Sequence, residues 1–267
     1  MPPHNVVAAI PDHMIVVTDL DGTLLDHHSY SFDPARPVLA ELARRHIPVI
    51  LNTSKTRAEL TDLQRALGLQ TPFVVENGSA IYSADQSACR VLGAPRVELL
   101  SALGDARIQD YRFSGYADMS VQDVVQHTGL SEAQAQASMA REFTEPLVWE
   151  DTPERLADFA QWIKARGLQC LRGGRFVHVM GRCDKGLAMQ QLIQHYYTDN
   201  RGPVVALGDS ENDLAMLEQA DIAVCIRSYS DRRLEPASSV VAIHTDNYGP
   251  QGWAEAMTDI LNQWGRD

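Results

Sequence analysis

The sequence predicts a doubly wound, Rossmann-like α/β fold with a second, α+β domain inserted in the middle of the chain. Its four short apolar runs, rich in valine and isoleucine, each end in small or polar residues: MIVVTDL (14–20), IPVILNTS (47–54), TPFVVENG (71–78) and RGPVVALGDS (201–210). Such runs are typical of strands buried in a parallel sheet. Helix-like segments separate the first three runs, and this alternation indicates a doubly wound sheet.

Two of these intervening segments have the period of a helix. DPARPVLAELARRH (33–46) places Val38, Leu39, Leu42 and Ala43 on one face, and RAELTDLQRALG (57–68) has leucines at 60, 63 and 67 and stops at Gly68. Thr56 and Glu59 have the spacing of a capping box, so we expect the second helix to begin near Arg57.

The alternation breaks between about Tyr82 and Gly181. Three segments there predict helices that begin after a serine or threonine cap: SVQDVVQHTG (120–129), SEAQAQASMAREF (131–143) and TPERLADFAQWIKARG (152–167). LQCLRGGRFVHVMG (168–181) predicts a hairpin that turns at Gly173 and Gly174. GAPRVELLSALGD (93–105) has too mixed a pattern to assign. We therefore predict a core of residues 1–84 and 185–267, and an inserted domain of residues 85–184.

Composition narrows the class of protein. The chain has 267 residues, of which 45% are hydrophobic and 22% charged, as in ordinary globular proteins. It has no apolar run of the roughly 20 residues that a membrane helix needs, and its first residues lack a basic signal start, which predicts a cytoplasmic protein without a membrane partner. A net charge of −12 argues against a nucleic-acid partner. The four scattered cysteines show no zinc or disulfide spacing.

The segment DLDGT contains two carboxylates at the end of the first predicted strand. Asp19 is a candidate nucleophile for attack on phosphorus, which would form an aspartyl-phosphate. Asp21 is a candidate acid that protonates the leaving oxygen and later activates water. Gly22 permits a close turn around a ligand. The alternative is a pair of solvated loop aspartates, which are common after strands.

Two further segments could bind phosphate. In LNTSKTRAE, Thr53, Ser54 and Lys55 precede a helix, and hydroxyls, an ammonium group and free backbone N–H groups there suit an anion. In CDKGLAM, Lys185 opens a helix, where its charge opposes the helix dipole unless an anion lies nearby. Each segment also has an ordinary interpretation, as a polar loop or as a solvated lysine.

The segment VVALGDSENDLAML supplies a possible metal site. Asp209 and Asp213 could join Asp19 in binding Mg²⁺, which typically uses one or two carboxylates, several waters and the substrate phosphate. Alternatively, Ser210 and Asp213 cap the following helix. All four segments come at the strand ends that a doubly wound sheet brings together, and ligands bind beyond such ends. Together they favour the catalytic interpretation.

Other residues are candidates for contact with the substrate. Glu76, Asn77 and Gly78 lie at a predicted strand end and could form the rim of the pocket. The predicted hairpin and its exit carry a cationic cluster, unusual in so acidic a chain, which could hold a second anionic group such as a carboxylate. Its members are Arg172, Arg175, His178, Arg182 and Lys185. The alternative is a solvent-exposed turn.

The two candidate phosphate-binding segments, the segment with the candidate nucleophile and the segment with the possible metal site resemble the four motifs of the haloacid dehalogenase superfamily of phosphotransferases. The matches are DLDGT, Thr53 in NTSKT, Lys185 in DKG, and GDSEND (208–213). The resemblance implies Asp19 as nucleophile, Asp21 as acid and base, and Thr53 and Lys185 as phosphate ligands. It implies magnesium held by Asp19, the Asp21 carbonyl and Asp209 with support from Asp213. The inserted domain would be a cap of the superfamily's second type, closing over the sheet edge.

Within that superfamily the chain is similar to the mannosyl-3-phosphoglycerate phosphatases over nearly its whole length. The features are NTSKTRAEL, VVENGSAIY, FSGYADMS with TGLSEAQAQASMAREFTEP, and GGRFVHVMGRCDKG. This implies hydrolysis of a small phosphorylated sugar acid. The alternatives are a phosphatase for another sugar phosphate or another glycosyl-3-phosphoglycerate, a phosphomutase, and a non-catalytic module that accepts phosphate. The oligomeric state stays open.

Overall fold

The computed structural model describes residues 14–173, 176–198, 202–229, 233–237 and 240–264. The chain divides into two compact units. We call residues 1–52 with 189–267 the core unit, and residues 53–188 the inserted unit. The predicted division at 84/85 and 184/185 stays a prediction. No helix in the described ranges combines the length and apolarity needed to cross a membrane.

The core unit is built on a five-stranded, wholly parallel sheet of the order β12-β11-β10-β1-β2. Its strands are β1 (Ile15–Thr18), β2 (Val49–Leu51), β10 (Val204–Gly208), β11 (Ile222–Arg227) and β12 (Val241–Tyr248). β1, β2 and β10 coincide with apolar runs predicted as strands, and every residue in them is buried because helices cover both faces of such sheets. Strands β11 and β12 were not predicted.

In the part of the core unit that the structure describes, four α-helices accompany this sheet: α1 (Arg36–Arg44), α7 (Lys185–Tyr196), α8 (Leu214–Leu217) and α9 (Gly249–Trp264). The first residues of α7 belong to the inserted unit and the remainder to the core unit. Helix α9 buries Trp253, whose indole N–H donates to the Thr18 hydroxyl at 3.1 Å. That hydroxyl in turn donates to the Asp19 carbonyl at 2.7 Å, so α9 helps to fix the backbone at the end of β1.

The described residues of the inserted unit form two antiparallel sheets. The smaller has the order β3-β4-β5, with β3 (Phe73–Val75), β4 (Ala80–Tyr82) and β5 (Cys89–Val91), and α2 (Arg57–Leu67) precedes it. The prediction that TPFVVENG forms a parallel strand is therefore wrong in its pairing, since β3 runs antiparallel to β4. A run buried on both faces has the same pattern in either kind of sheet.

The larger sheet has the order β6-β7-β9-β8. Its strands are β6 (Phe113–Gly115), β7 (Thr144–Trp149), β8 (Leu168–Gly173) and β9 (Phe176–Gly181). Strands β8 and β9 form the predicted hairpin, although Gly174 in its predicted turn lies outside the described residues. The unit also contains α3 (Arg96–Ile108), α4 (Val121–Thr128), α5 (Glu132–Met139) and α6 (Pro153–Ala165). The last three match predicted helices, with caps at Ser120, Ser131 and Thr152.

Helices α3 and α6 cover one face of this larger sheet. Leu99 and Leu103 of α3 and Phe159 of α6 pack with Leu147 of β7 and Val179 of β9 in one buried cluster. Helix α3 is the segment that the sequence left unassigned. The chain thus contains both the predicted parallel sheet and the predicted inserted α+β region.

Candidate active site

Three carboxylates meet at the carboxyl edge of the core sheet. Asp19 follows β1, Asp209 follows β10, and one oxygen from each of these and from Asp213 lies within 4.8 Å of the others. Strands β1 and β10 are paired in register, and the Asp19 N–H donates to the Leu207 carbonyl at 2.9 Å. The juxtaposition therefore follows directly from the pairing of these neighbouring parallel strands.

Glycines on either side clear the space for these carboxylates. Gly22 has a φ of +81°, and a Cβ added to it would lie 2.7 Å from Oδ2 of Asp209. A Cβ on Gly208 would lie 2.4 Å from that of Asp213. The carboxylates can pack this closely against the backbone only because both positions lack a side chain.

Hydrogen bonds hold Asp209 and Asp213 in place. The Thr23 hydroxyl donates to Oδ1 of Asp209 at 3.0 Å. Oδ2 of Asp213 accepts the backbone N–H groups of Asp209 and Ser210, both at 3.0 Å. The cap formed by Ser210 and Asp213, which was the alternative interpretation, is present as well, so Asp213 both caps this turn and belongs to the carboxylate cluster.

The cluster has the chemistry of a magnesium site. Three largely buried carboxylates repel one another strongly unless a cation or protons compensate them, and hard oxygen ligands are those that Mg²⁺ prefers. Asp19, Asp209 and Asp213 therefore fit the ion. The side chain of Asp21 is not a member of the cluster among the described residues. It lies in the turn after β1, where Asp21 and Leu25 form a bridge and the Gly22 N–H donates to the Leu25 carbonyl at 2.9 Å.

The predicted phosphate-binding loop belongs to the inserted unit. Thr53 is buried, and its hydroxyl accepts the Lys55 N–H at 3.2 Å. The ammonium of Lys55 lies 3.7 Å from the Glu59 carboxylate. The capping box of Thr56 and Glu59 is present at the start of α2, as predicted. The loop thus presents hydroxyl and ammonium groups immediately before a capped helix.

A strained turn joins this loop to the start of α7. Glu76, Asn77 and Gly78 have φ angles of +50°, +59° and +91°. The N–H groups of Glu76 and Asn77 donate to the carbonyls of Lys55 and Thr53 at 3.0 and 2.9 Å. On its other side, Gly78 packs against the backbone at 184–185. The turn therefore brings together two predicted phosphate ligands, Thr53 and the buried Lys185, and such strain is typical of functional sites.

We expect Gly78→Ala to destabilise the protein more than the matched change Gly68→Ala. Both glycines have positive φ, +91° and +70°, which costs alanine about 1 kcal/mol. At Gly68 no atom lies within 4 Å of an added Cβ, but at Gly78 the Asp184 carbonyl oxygen would lie 2.1 Å away. The overlap adds about 2 kcal/mol or more. Urea unfolding of both variants measures the difference, and equal losses would contradict the packing.

A second network at this loop was not predicted. The carboxylate of Glu76 is buried and accepts the N–H groups of Glu142 and Phe143 at 2.9 and 3.1 Å and the Thr144 hydroxyl at 2.6 Å. The guanidinium of Arg141 donates to the carbonyl of Ser54 at 3.1 Å. Residues 141–144 are thereby tied to the phosphate-binding loop. The one feature of the sequence that could have indicated this network is the charge-rich stretch AREFTEP, but such a stretch is equally typical of the end of a helix.

The described members of the cationic cluster predicted on the hairpin differ in their surroundings. Arg182 donates to the Lys164 carbonyl in the last turn of α6 at 2.7 Å, and Arg172 is exposed. Arg175 lies outside the described residues. His178 is partly buried, and burial, aided by the positive charge of Arg141, lowers its pKa to about 3. The imidazole is therefore neutral at pH 7. Arg175, His178 and Arg182 stay predictions as substrate residues.

Comparison with known proteins identifies the family. The sequence profile of haloacid dehalogenase-like hydrolases matches residues 16–249. The chain belongs to this family. It is 34% identical, over 94% of its length and 98% of the relative's, to the glucosyl-3-phosphoglycerate/mannosyl-3-phosphoglycerate phosphatase of Persephonella marina. It is 35% identical to a protein of the same name from Methanococcoides burtonii, over 93% of the chain and 97% of the relative.

Comparison with solved structures shows the same kind of fold. A haloacid dehalogenase-like hydrolase from Bacteroides thetaiotaomicron superimposes with a TM-score of 0.67 and 19% identity, covering 93% of this chain and 99% of that one. The predicted α/β fold with an inserted α+β domain is confirmed. The prediction of an enzyme that hydrolyses phosphoric monoesters is confirmed at the level of the family, since both curated relatives carry the name phosphatase.

Proposed function

We propose that this hydrolase is a magnesium-dependent phosphatase that converts mannosyl-3-phosphoglycerate to mannosylglycerate and phosphate. The cluster of Asp19, Asp209 and Asp213 is the observation that carries the proposal, because it provides the nucleophile and a site for a hard cation at one sheet edge. The names and similarity of the two relatives support the substrate class. Glucosyl-3-phosphoglycerate is the second candidate, because both relatives' names include it.

The chemistry of the proposal divides into two displacements at phosphorus. A carboxylate oxygen of Asp19 attacks, the bond from phosphorus to the ester oxygen breaks, and Asp21 donates a proton to the departing alkoxide. Asp21 then takes a proton from water, which attacks the aspartyl-phosphate and releases inorganic phosphate with Asp19 restored. When bound, Mg²⁺ neutralises phosphate charge and orients it for in-line attack.

Other residues bind the phosphoryl oxygens in this proposal. Thr53 supplies a hydroxyl, Lys185 an ammonium group, and Ser54 with Lys55 the polar groups before α2. The turn of Asn77 and Gly78 holds these elements together through the contact of the Asn77 N–H with the Thr53 carbonyl. Preorganised donors of this kind stabilise the charge that builds on the transferring phosphoryl group.

A substrate panel tests the proposal. Phosphate release is measured from mannosyl-3-phosphoglycerate, glucosyl-3-phosphoglycerate and glucose 6-phosphate, with Mg²⁺ and after chelation. We expect chelation to abolish turnover, added Mg²⁺ to restore it, and the two phosphoglycerates to exceed glucose 6-phosphate in kcat/KM by at least about 10-fold, since a bound carboxylate contributes about 1.5–3 kcal/mol. Faster hydrolysis of glucose 6-phosphate would refute the substrate assignment, and turnover without any divalent cation would refute the metal requirement.

A further inference from the structure

The larger sheet of the inserted unit has a face opposite to α3 and α6. On β7, Leu147 joins the cluster with those helices, and Glu145 pairs with Arg96 of α3 at 2.7 Å. Since side chains alternate between faces along a strand, Thr144 and Pro146 lie on the opposite face. His178 is directly opposite Pro146 in the register, so it shares that face.

Arg141 contributes a fixed positive charge beside this face. Its guanidinium donates through Nε to the Ser138 carbonyl at 3.1 Å and through Nη1 to the Thr144 hydroxyl at 2.9 Å, in addition to the Ser54 carbonyl. All three acceptors are uncharged oxygens. Among described residues, Arg141 forms no ion pair, and its Nη2 makes no hydrogen bond. A cation so rigidly held, with one nitrogen still available, is suited to bind an anion.

His178 adds a neutral polar group. Its Nδ1 is buried and has no hydrogen-bond partner among described residues. An unsatisfied buried polar atom costs roughly 1–3 kcal/mol, so a ligand that supplies an acceptor recovers that cost. The ring bears no charge at neutral pH, so the pair together carries a single positive charge. The buried Glu76 carboxylate accepts from the same Thr144 hydroxyl that Arg141 donates to, which lowers the local positive charge further, so the pair matches a monoanion better than a second phosphate.

We propose that Arg141 and His178 bind the substrate's carboxylate, with Nη2 of Arg141 and the protonated Nδ1 of His178 as donors. This inference rests on the proposed function and specifies how its glycerate moiety is recognised. The contact of Arg141 with Ser54 supports it, because it places the guanidinium beside the loop assigned to the phosphate. The two anionic groups of one small substrate can then be bound by residues of one unit.

Two esters that differ only at the carboxylate test the role of Arg141. These are mannosyl-3-phosphoglycerate and its analogue in which CH₂OH replaces the carboxylate. We expect Arg141→Ala to lower kcat/KM about 30-fold for the first and less than about 3-fold for the second, since a hydrogen bond to a charged group contributes 1.5–3 kcal/mol. Arg65→Ala, which removes an exposed arginine of the same unit that pairs only with the exposed Asp62 among described residues, is the control and should change neither. Equal losses on both esters would show that Arg141 only positions the loop, and would overturn the proposal.

The assignment of Nδ1 has its own test. In His178→Asn the side-chain amide nitrogen takes the place of Nδ1, whereas in His178→Gln it takes that of Nε2. We expect the asparagine variant to keep the preference for the carboxylate ester within about 3-fold and the glutamine variant to lose about 10-fold or more, because a hydrogen bond to a charged carboxylate contributes about 1.5–3 kcal/mol. The reverse order would refute Nδ1 as the donor.

Binding of D-glycerate separates this inference from the proposed function. Calorimetry with the wild type and Arg141→Ala requires no turnover and no phosphate. We expect glycerate to bind the wild type and to bind the variant at least about 10-fold more weakly. If the wild type hydrolyses none of the esters but shows this difference, the phosphatase proposal fails and the carboxylate site stands. Equal affinity, or no binding to the wild type, overturns the carboxylate site.

Discussion

Asp19→Asn is expected to abolish phosphate release from every ester that the wild type hydrolyses. An amide is a far poorer nucleophile than a carboxylate, so the acyl-phosphate bond cannot form. The change also removes one of the three carboxylates that meet at the edge of the core sheet, and therefore weakens the metal site. Removal of a nucleophile typically costs 10⁴-fold or more in turnover, which makes this the largest effect expected from a single substitution in the chain.

Two measurements check this expectation. Phosphate release is followed at saturating Mg²⁺, and mass spectrometry of rapidly acid-quenched enzyme detects a phosphoryl group on the peptide that contains Asp19. Asp62→Asn is the matched control, because Asp62 is an exposed aspartate on α2 and its loss should leave both signals unchanged. Wild-type turnover by Asp19→Asn, or a phosphoryl group on another residue, would contradict the assigned nucleophile.

Three strands of the core sheet could be predicted from the sequence for one physical reason. Strands β1, β2 and β10 are buried on both faces, so each appears as an apolar run that stops where the chain leaves the sheet. Burial on both faces also led to the wrong prediction that β3 is a parallel strand. Strand β3 is also wholly buried, but its partner is the antiparallel β4, and an apolar run gives no information about the direction of a neighbour.

Helix α3 shows a different limit. Its buried positions, Leu99, Ala102, Leu103 and Ala106, have the spacing of one helical face. Its outer face also carries large apolar side chains, since Val97 is 73% and Ile108 is 76% exposed. Apolar residues on both faces cancel the periodic signal, so a helix of thirteen residues had no recognisable pattern.

Some residues of the candidate site could be predicted from the sequence around them, whereas others depend on contacts between distant positions. Asp19 and Asp209 follow apolar strands, so the rule that ligands bind at the carboxyl ends of parallel strands was sufficient to place them together. The tie between Glu76 and Glu142 joins positions 66 residues apart through a turn of left-handed residues. No local sequence pattern indicates such a contact. Arg141 could likewise not be predicted as a site residue, because only the folded structure shows that it donates to the Ser54 carbonyl.

Asp21→Asn is expected to produce a different defect from the loss of Asp19. Asp21 acts as acid in the first displacement and as base in the second, and general acid–base catalysis contributes about 10²- to 10⁴-fold to each. For an alkyl ester, whose leaving oxygen requires a proton, formation of the phospho-enzyme should slow by that factor. For p-nitrophenyl phosphate, whose leaving group is stable as an anion, formation should change little while hydrolysis of the aspartyl-phosphate slows.

The variant should therefore accumulate phospho-enzyme from p-nitrophenyl phosphate and release a burst of nitrophenol that approaches one equivalent of enzyme. Rapid mixing measures the burst, and quenched mass spectrometry measures the phosphoryl group on Asp19. The turn that carries Asp21 is fixed by backbone hydrogen bonds between Leu20, Gly22 and Leu25, so the substitution should leave the fold and the nucleophile in place. If both esters slow equally and no phospho-enzyme accumulates, Asp21 is not the proton donor, and its contribution is confined to binding through its backbone carbonyl.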